Sequence, residues 1–310
     1  MDAQLLRFVV TQPGQRLDRF LAEQVADLSR SQLQRLIHEG RVRVDGADAK
    51  PSQKLEAGQH VVLDLPPPNA PILAAESLAI PIIYEDRDIV VVDKPAGMVV
   101  HPGHGVSSGT LVNALLAHCP ELHVFADSVR PGIVHRLDKD TSGVMVVAKH
   151  PVALHDLQQQ FATHTVRKTY WALVHGAPAN ERGLIEASIG RSRAQPTQMA
   201  IAGKADRAAR TAFRILERFA RHTLVEAQPI TGRTHQIRLH FAALGHPIVG
   251  DQTYGRAGET LGLRRQFLHA HRLRLRLPST AADREFVSEL PTELQAVLRR
   301  LRRNIGSAAK

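Results

Sequence analysis

Two aspartates two residues apart, Asp138 and Asp140, mark the stretch of this 310-residue chain best suited to chemistry. They sit in GIVHRLDKDTSGVMVVAKH, residues 132–150. An apolar strand ends at Val134, Arg136 and Lys139 flank the carboxylates, Gly143 breaks the turn, and a second apolar strand leaves. Charged residues at such a junction stand at the rim of a sheet, where loops carry function on a rigid scaffold. A carboxylate there can serve as nucleophile or base, and in a dry pocket it needs a cation to offset the cost of its charge. Asp140, Thr141 and Ser142 suit backbone capping in a turn equally well. Asp138 is harder to explain as scaffolding.

Other chemistries fit less of the chain. Residues 138–141 spell the D-x-D-x-T of phosphotransferases of the haloacid dehalogenase kind, in which the first Asp attacks phosphorus beside Mg²⁺. That site needs an unbroken apolar strand before the first Asp, and His135 and Arg136 intervene. It also needs a late acidic cluster, and GDQTYG (250–255) offers Asp251 but glycine at 255. The close histidine pairs, His101 with His104, His235 with His240 and His269 with His271, lack cysteine companions and any H-E-x-x-H pattern. They are expected to pack or to touch substrate, with no metal. Cys119, the single cysteine, lies in apolar LLAHC and reads as core. One cysteine excludes an internal disulfide framework and fits the reducing cytoplasm.

The elements that must position these residues fall into two regions, 1–75 and 76–310. In the first, Leu17, Phe20, Leu21 and Val25 share a helical face. Ser29 or Ser31, with Gln32 or Gln34, suits the start of a second helix whose Leu33, Leu36 and Ile37 face one way and which Gly40 ends. RVRVDG (41–46) reads as strand and hairpin turn, HVVLDL (60–65) as a strand, and Pro66–Pro68 as a stiff linker. Strands are expected near 82–95, 144–150, 168–176 and 222–230, with helices over 155–164 and 291–303, the last packing one face on the domain. Strands outnumber helices and do not alternate with them, which predicts an α+β fold with a mainly antiparallel mixed sheet.

Forty Lys and Arg against 30 Asp and Glu give a formal net charge of +10, which favours a polyanionic partner. No apolar run approaches the length of a spanning helix, so a membrane partner is not expected. Arg30, Arg35, Arg41 and Arg43 cluster on the second helix and hairpin, where they suit phosphate contact.

Four segments carry a resemblance. HRLDKDTSG (135–143) resembles the catalytic signature of the RluA superfamily of pseudouridine synthases. EDRDIVVVDKPAGMVVHPG (85–103), RKTYWALVHG (167–176) and GRTHQIRLHFAALGHPIVGDQTYG (232–255) resemble its other blocks, in the same order. HPGHGVSSGTLVNALLAHCPEL (101–122) is similar to the RluD branch, and SRSQLQRLIHEGRVRVDG resembles the alpha-L RNA-binding motif of small-subunit ribosomal protein S-four. The resemblance implies a cofactor-free isomerase that converts uridine to pseudouridine in large-subunit (23S) ribosomal RNA or its precursor, at the helix-69 hairpin loop, and contributes to ribosome assembly. It implies Asp138 as catalytic residue, Arg238 as its cation and Tyr170 as the residue stacking on uracil. It further implies Arg136 as the residue filling the stack after base flipping, Ile248 as packing on the base, and His135, Thr141, Arg233 and His235 as RNA-binding neighbours. A cytoplasmic monomer without an obligate protein partner is expected. The alternative is an RNA-binding assembly factor that keeps the fold without the chemistry. GKADRAART (203–211) is longer than the usual segment, and a lengthened loop is expected there.

Overall fold

The structure, a computed structural model, describes residues 4–25, 28, 30–65, 73–103, 105–125, 128, 130–195 and 198–308. Ser29, the Pro66–Pro68 run and His104 lie outside the described residues. The chain divides into two compact units, Met1–Pro71 and Ile72–Lys310.

The first unit contains β1 (Gln4–Val9), α1 (Leu17–Gln24), α2 (Arg30–His38), β2 (Val42–Val44), β3 (Ala47–Asp48) and β4 (His60–Leu65). The strands form an antiparallel sheet in the order β1-β4-β2-β3. Asp45 and Gly46 both take positive φ, 50° and 82°, the conformation of a two-residue hairpin turn. Leu17, Leu21, Leu33, Val61 and Leu63 are wholly buried between helices and sheet. Asp18 is buried with them and accepts from Arg16, Arg30 and Gln34. Those partners hold its carboxyl well below the usual range, with Arg16 contributing most. Gln34 ties α2 to α1 through Asp18 at 2.6 Å, and the expected cap at Ser29 lies outside the described residues. Arg30 does the same at 2.7 Å, with its side chain still 46% exposed.

The second unit is built on a nine-stranded sheet. Its elements are β5 (Ile82–Glu85), β6 (Ile89–Lys94), α3 (Leu111–His118), β7 (Ser142–Ala148), α4 (Pro151–Ala162), β8 (Arg167–His175), β9 (Arg182–Glu186), β10 (Ile189–Arg191), β11 (Met199–Ile201), β12 (Lys204–Arg207), β13 (Arg210–Arg218), β14 (His222–Pro229), α5 (Gln236–Ala243), β15 (Leu268–Arg276), β16 (Asp283–Val287) and α6 (Thr292–Ala308). The order is β5-β6-β7-β15-β8-β14-β13-β9, with β16 on β15. Among these pairings only β7 with β15 is parallel. Every residue of β7 is buried, which fits a central strand flanked on both faces. Two apolar cores result, one around β6, β7 and α3, the other around β8, β14, α5 and α6. Tyr170 on β8 packs against both. Helix α6 buries Leu294, Val297, Leu298 and Leu301 on one face, as its periodicity predicts. The expected loop over 203–211 is instead strand β12 and the start of β13. With β10 and β11, β12 makes a separate three-stranded sheet.

Two glycines bracket the turn that carries Asp138. Gly132 (φ 67°) and Gly143 (φ 120°) both take backbone angles that side chains disfavour. A Cβ on Gly143 would meet the Ala270 carbonyl oxygen at 2.2 Å, where β7 and β15 come together. Gly143→Ala is accordingly expected to destabilise the unit by at least about 1–3 kcal/mol through overpacking and backbone strain. Chemical denaturation reads this directly, and an unchanged midpoint would contradict it.

Candidate active site

Asp138 leaves the turn between Gly132 and β7, where its main-chain carbonyl accepts from the Thr141 N–H at 3.1 Å. The carboxylate enters a cleft of about 630 Å³. Arg238, on the first turn of α5, donates from Nη1 to Asp138 Oδ2 at 3.2 Å. The remaining face of the same guanidinium grips Asp251 in two places, Nε to Oδ2 at 2.6 Å and Nη2 to Oδ1 at 2.9 Å. One planar cation thus bridges two carboxylates, a geometry available to arginine and not to lysine. Burial opposes the charge on Arg238, but Asp251 and then Asp138 outweigh it and hold the group firmly protonated. Burial likewise opposes ionisation of Asp251, and the hydrogen bonds and charge of Arg238 reverse that, leaving its carboxyl below the usual value. Asp138 Oδ1 has no hydrogen bond among the described residues. One oxygen is tethered, and the residue lines the cleft.

Arg238 is held in turn. Gln236 accepts from Thr231 Oγ1 and the Arg233 N–H and donates to the Arg210 carbonyl and Thr211, fixing the loop that leads into α5. His235, at the helix start with φ 57°, meets the Tyr254 hydroxyl at 2.9 Å through Nδ1. The Tyr254 ring lies 5.0 Å from the Arg238 guanidinium carbon, a cation–π contact. Tyr170 lines the cleft half-buried, and burial together with the Asp138 charge pushes its phenol up.

Residues 88–243 match the RNA pseudouridylate synthase family, and residues 15–61 match the S4 domain. The chain is 49% identical over 291 residues to an RNA pseudouridine synthase of Chloroflexus aurantiacus, covering 94% of this chain and 91% of that one. It is 42% identical over 303 residues to the ribosomal large subunit pseudouridine synthase D of Pseudomonas aeruginosa, covering 94% and 93%. The chain belongs to the RNA pseudouridine synthase family. The solved structure of human RNA Pseudouridylate Synthase Domain Containing 1 superposes with a TM-score of 0.58 at 30% identity, over 72% of this chain and 89% of that one. The α+β unit is therefore a pseudouridine synthase fold, the first unit an S4 domain, and the protein an isomerase.

Within this pseudouridine synthase the expected site residues separate into two groups. Asp138, Tyr170, Arg238, Arg136, Arg233, His235, His135 and Thr141 all line the one cleft. Arg136 is exposed and makes no ion pair among the described residues. Arg233 is half-buried and donates to the Ala208 carbonyl at 3.3 Å. His135 accepts the Val146 N–H at 3.1 Å and stacks on Phe161, and burial pushes its imidazole down to about 3. That ring is neutral and braces the turn against β7. Thr141 is buried and bonded to Gln266.

Ile248 is not in the cleft. It bridges to Val174 and is 1% exposed, inside the core formed by β8, β14 and α5, which corrects its expected contact with the base. Arg35 and Arg43 are exposed and Arg41 is half-buried on the S4 domain, each with a carboxylate within 4.0 Å. Exposed pairs of this kind are weak and exchange readily for phosphate. The histidines of the described pairs have protein partners: His240 meets Thr211 and the Ala187 carbonyl, and His269 meets Ser142 and the Ser288 carbonyl.

Sequence reasoning missed the groups that hold the turn itself. Lys94, wholly buried, donates to the carbonyls of Pro95, Met98 and Lys139. Arg265 donates to the Asp140 carbonyl at 3.0 Å and to Ser142, and pairs with Glu293 on α6. Both lie far from Asp138 in sequence, and no spacing rule marks them.

Proposed function

We propose that this enzyme isomerises uridines of large-subunit ribosomal RNA, at the helix-69 hairpin loop, with Asp138 as the reacting carboxylate. The observation that carries the proposal is the Arg238 bridge, which leaves one Asp138 oxygen unbonded in a cleft rimmed by Arg130, Arg136, Lys168 and Arg233. Pseudouridine formation breaks N1–C1′ and joins C5 to C1′, while C5 loses a proton and N1 gains one, so composition is unchanged. A carboxylate to act on the everted nucleotide, and groups to hold it, meet the demands of that chemistry. Tyr170 supplies a flat wall for the uracil, and Arg136 fills the vacated stack. Support for the substrate comes from relatives named ribosomal large subunit pseudouridine synthase D, which align over 93% and 94% of this chain. In this reading the enzyme works in the cytoplasm as a monomer.

Mapping pseudouridine in ribosomal RNA from cells with and without the protein tests it. Sites in the helix-69 loop should vanish without the protein and return when purified enzyme is added to the unmodified RNA. Loss confined to transfer RNA, or none, would overturn the substrate.

A further inference from the structure

Lys168 carries an ammonium group that no carboxylate answers among the described residues. It precedes Tyr170 by two residues on β8, so both side chains leave the same face of the strand, and both line the cleft. Its Nζ stands 5.9 Å from the centre of the Phe161 ring and has no hydrogen bond or ion pair among the described residues. Burial without a counter-charge pushes it down to about 8. Holding such a cation out of water costs stability unless an anion arrives.

A second cleft, of about 510 Å³, shares His164 with the first. Arg167, Arg274 and Arg276 line it beside Asp156 and Asp283. Arg274 pairs with Asp283 at 2.9 Å and Arg276 approaches Asp156 at 3.7 Å, but Arg167 has no ion pair among the described residues. Arg167 also stands directly opposite Arg274 in the register of β8 with β15. Like charges facing each other across an antiparallel ladder weaken it. Lys168 and Arg167 are consecutive residues pointing to opposite faces, so the end of this one strand presents unanswered positive charge to both clefts.

We propose that the RNA backbone adjoining the flipped nucleotide runs from Lys168 past His164 onto Arg167, its phosphates supplying the anions that Lys168 and Arg167 lack and screening Arg167 from Arg274. The proposal rests on the RNA-modifying function above. Phosphate is the only anion an RNA substrate offers, and the groove's own carboxylates are already engaged by Arg274 and Arg276. A merely solvated face would give no reason to keep two arginines in direct register.

The test uses the full-length enzyme and two RNAs, a hairpin with its flanking strands and an oligonucleotide ending beside the target uridine. Arg167→Glu places a carboxylate opposite Arg274, so its melting temperature should hold or rise. Its affinity for the long RNA should nevertheless fall on the order of tenfold. The slope of log Kd against log salt should shrink by about 0.7 for each single-stranded phosphate that the variant no longer neutralises. The weakening should be confined to RNA long enough to reach the groove. Lys168→Met should weaken both RNAs, and Lys168→Arg should restore them. Long-RNA affinity and salt slope unchanged in Arg167→Glu would overturn the track. Because these readouts are equilibrium binding, they separate from the functional reading, which instead fails if the wild-type enzyme forms no pseudouridine in ribosomal RNA.

Discussion

Asp138→Asn should bind RNA about as well as the wild type and form no measurable pseudouridine. The amide is nearly isosteric, and its oxygen can still accept from Arg238 Nη1, so the turn and the cleft should keep their shape. What disappears is the negative charge and the electron pair needed to act on the nucleotide. Loss of a reacting group of this kind lowers turnover by at least about 10⁴-fold. Affinity should survive because the cleft keeps its cations and loses one anion. Single-turnover product formation and equilibrium binding on the same RNA give both numbers. Turnover within tenfold of wild type would remove Asp138 from the chemistry. Equal loss of binding and turnover would make it a substrate contact instead.

The turn that carries Asp138 was legible because its candidate chemistry is contiguous: residues 132–150 contain the carboxylate, its neighbours and both glycines that shape the turn. Arg238 lies 100 residues away, and only family resemblance tied it to Asp138. Asp251 was visible merely as a poor metal ligand, because its partner is a guanidinium and no spacing pattern announces a tertiary ion pair. The tie from Arg30 to Asp18 was hidden for the same reason, since a basic residue on a helix reads alike whether it meets solvent, phosphate or a buried carboxylate. Strand β15, LHAHRLRLR, alternates as a strand should, yet it was not among the expected strands, because its polar positions are histidines and arginines. His269 and His271 pack there, buried and bonded to Ser288. Strand β12, KADR, is exposed throughout and carries no apolar alternation, so it read as loop. Ile248 shows the limit of residue type alone, because an isoleucine beside a site suits a core as well as a base.

Asp251→Asn should cost more stability than any surface change, and should cost activity although Asp251 lies outside the cleft lining. The wild-type pair is nearly sealed, with side-chain exposures of 7% for Arg238 and 1% for Asp251. Breaking one side of a buried ion pair costs about 3–5 kcal/mol when nothing else answers the remaining charge, and Asp138 answers Arg238 only in part. Arg238 would then have Asp138 as its only full carboxylate partner, and a fork free to turn can grip both of its oxygens. That covers the Oδ1 atom the proposed reaction needs, so turnover should fall roughly 10²-fold. Arg238→Lys should not behave as a conservative change, because one point charge cannot bridge two carboxylates. The stability loss should also depend on pH with a definite sign. The Asp251 carboxyl is held below its ordinary value of 3.8, burial opposing and Arg238 prevailing. A depressed folded-state value contributes stability that is complete above the unfolded value and disappears as pH falls through the folded one. The gap between wild type and Asp251→Asn should therefore be full near neutrality and narrow as the solution is acidified below about pH 4. Denaturant titrations at neutral and acid pH decide the matter. A gap of the same size at both would mean that Arg238 draws its charge support from elsewhere, and that the bridge does not hold Asp138 in position.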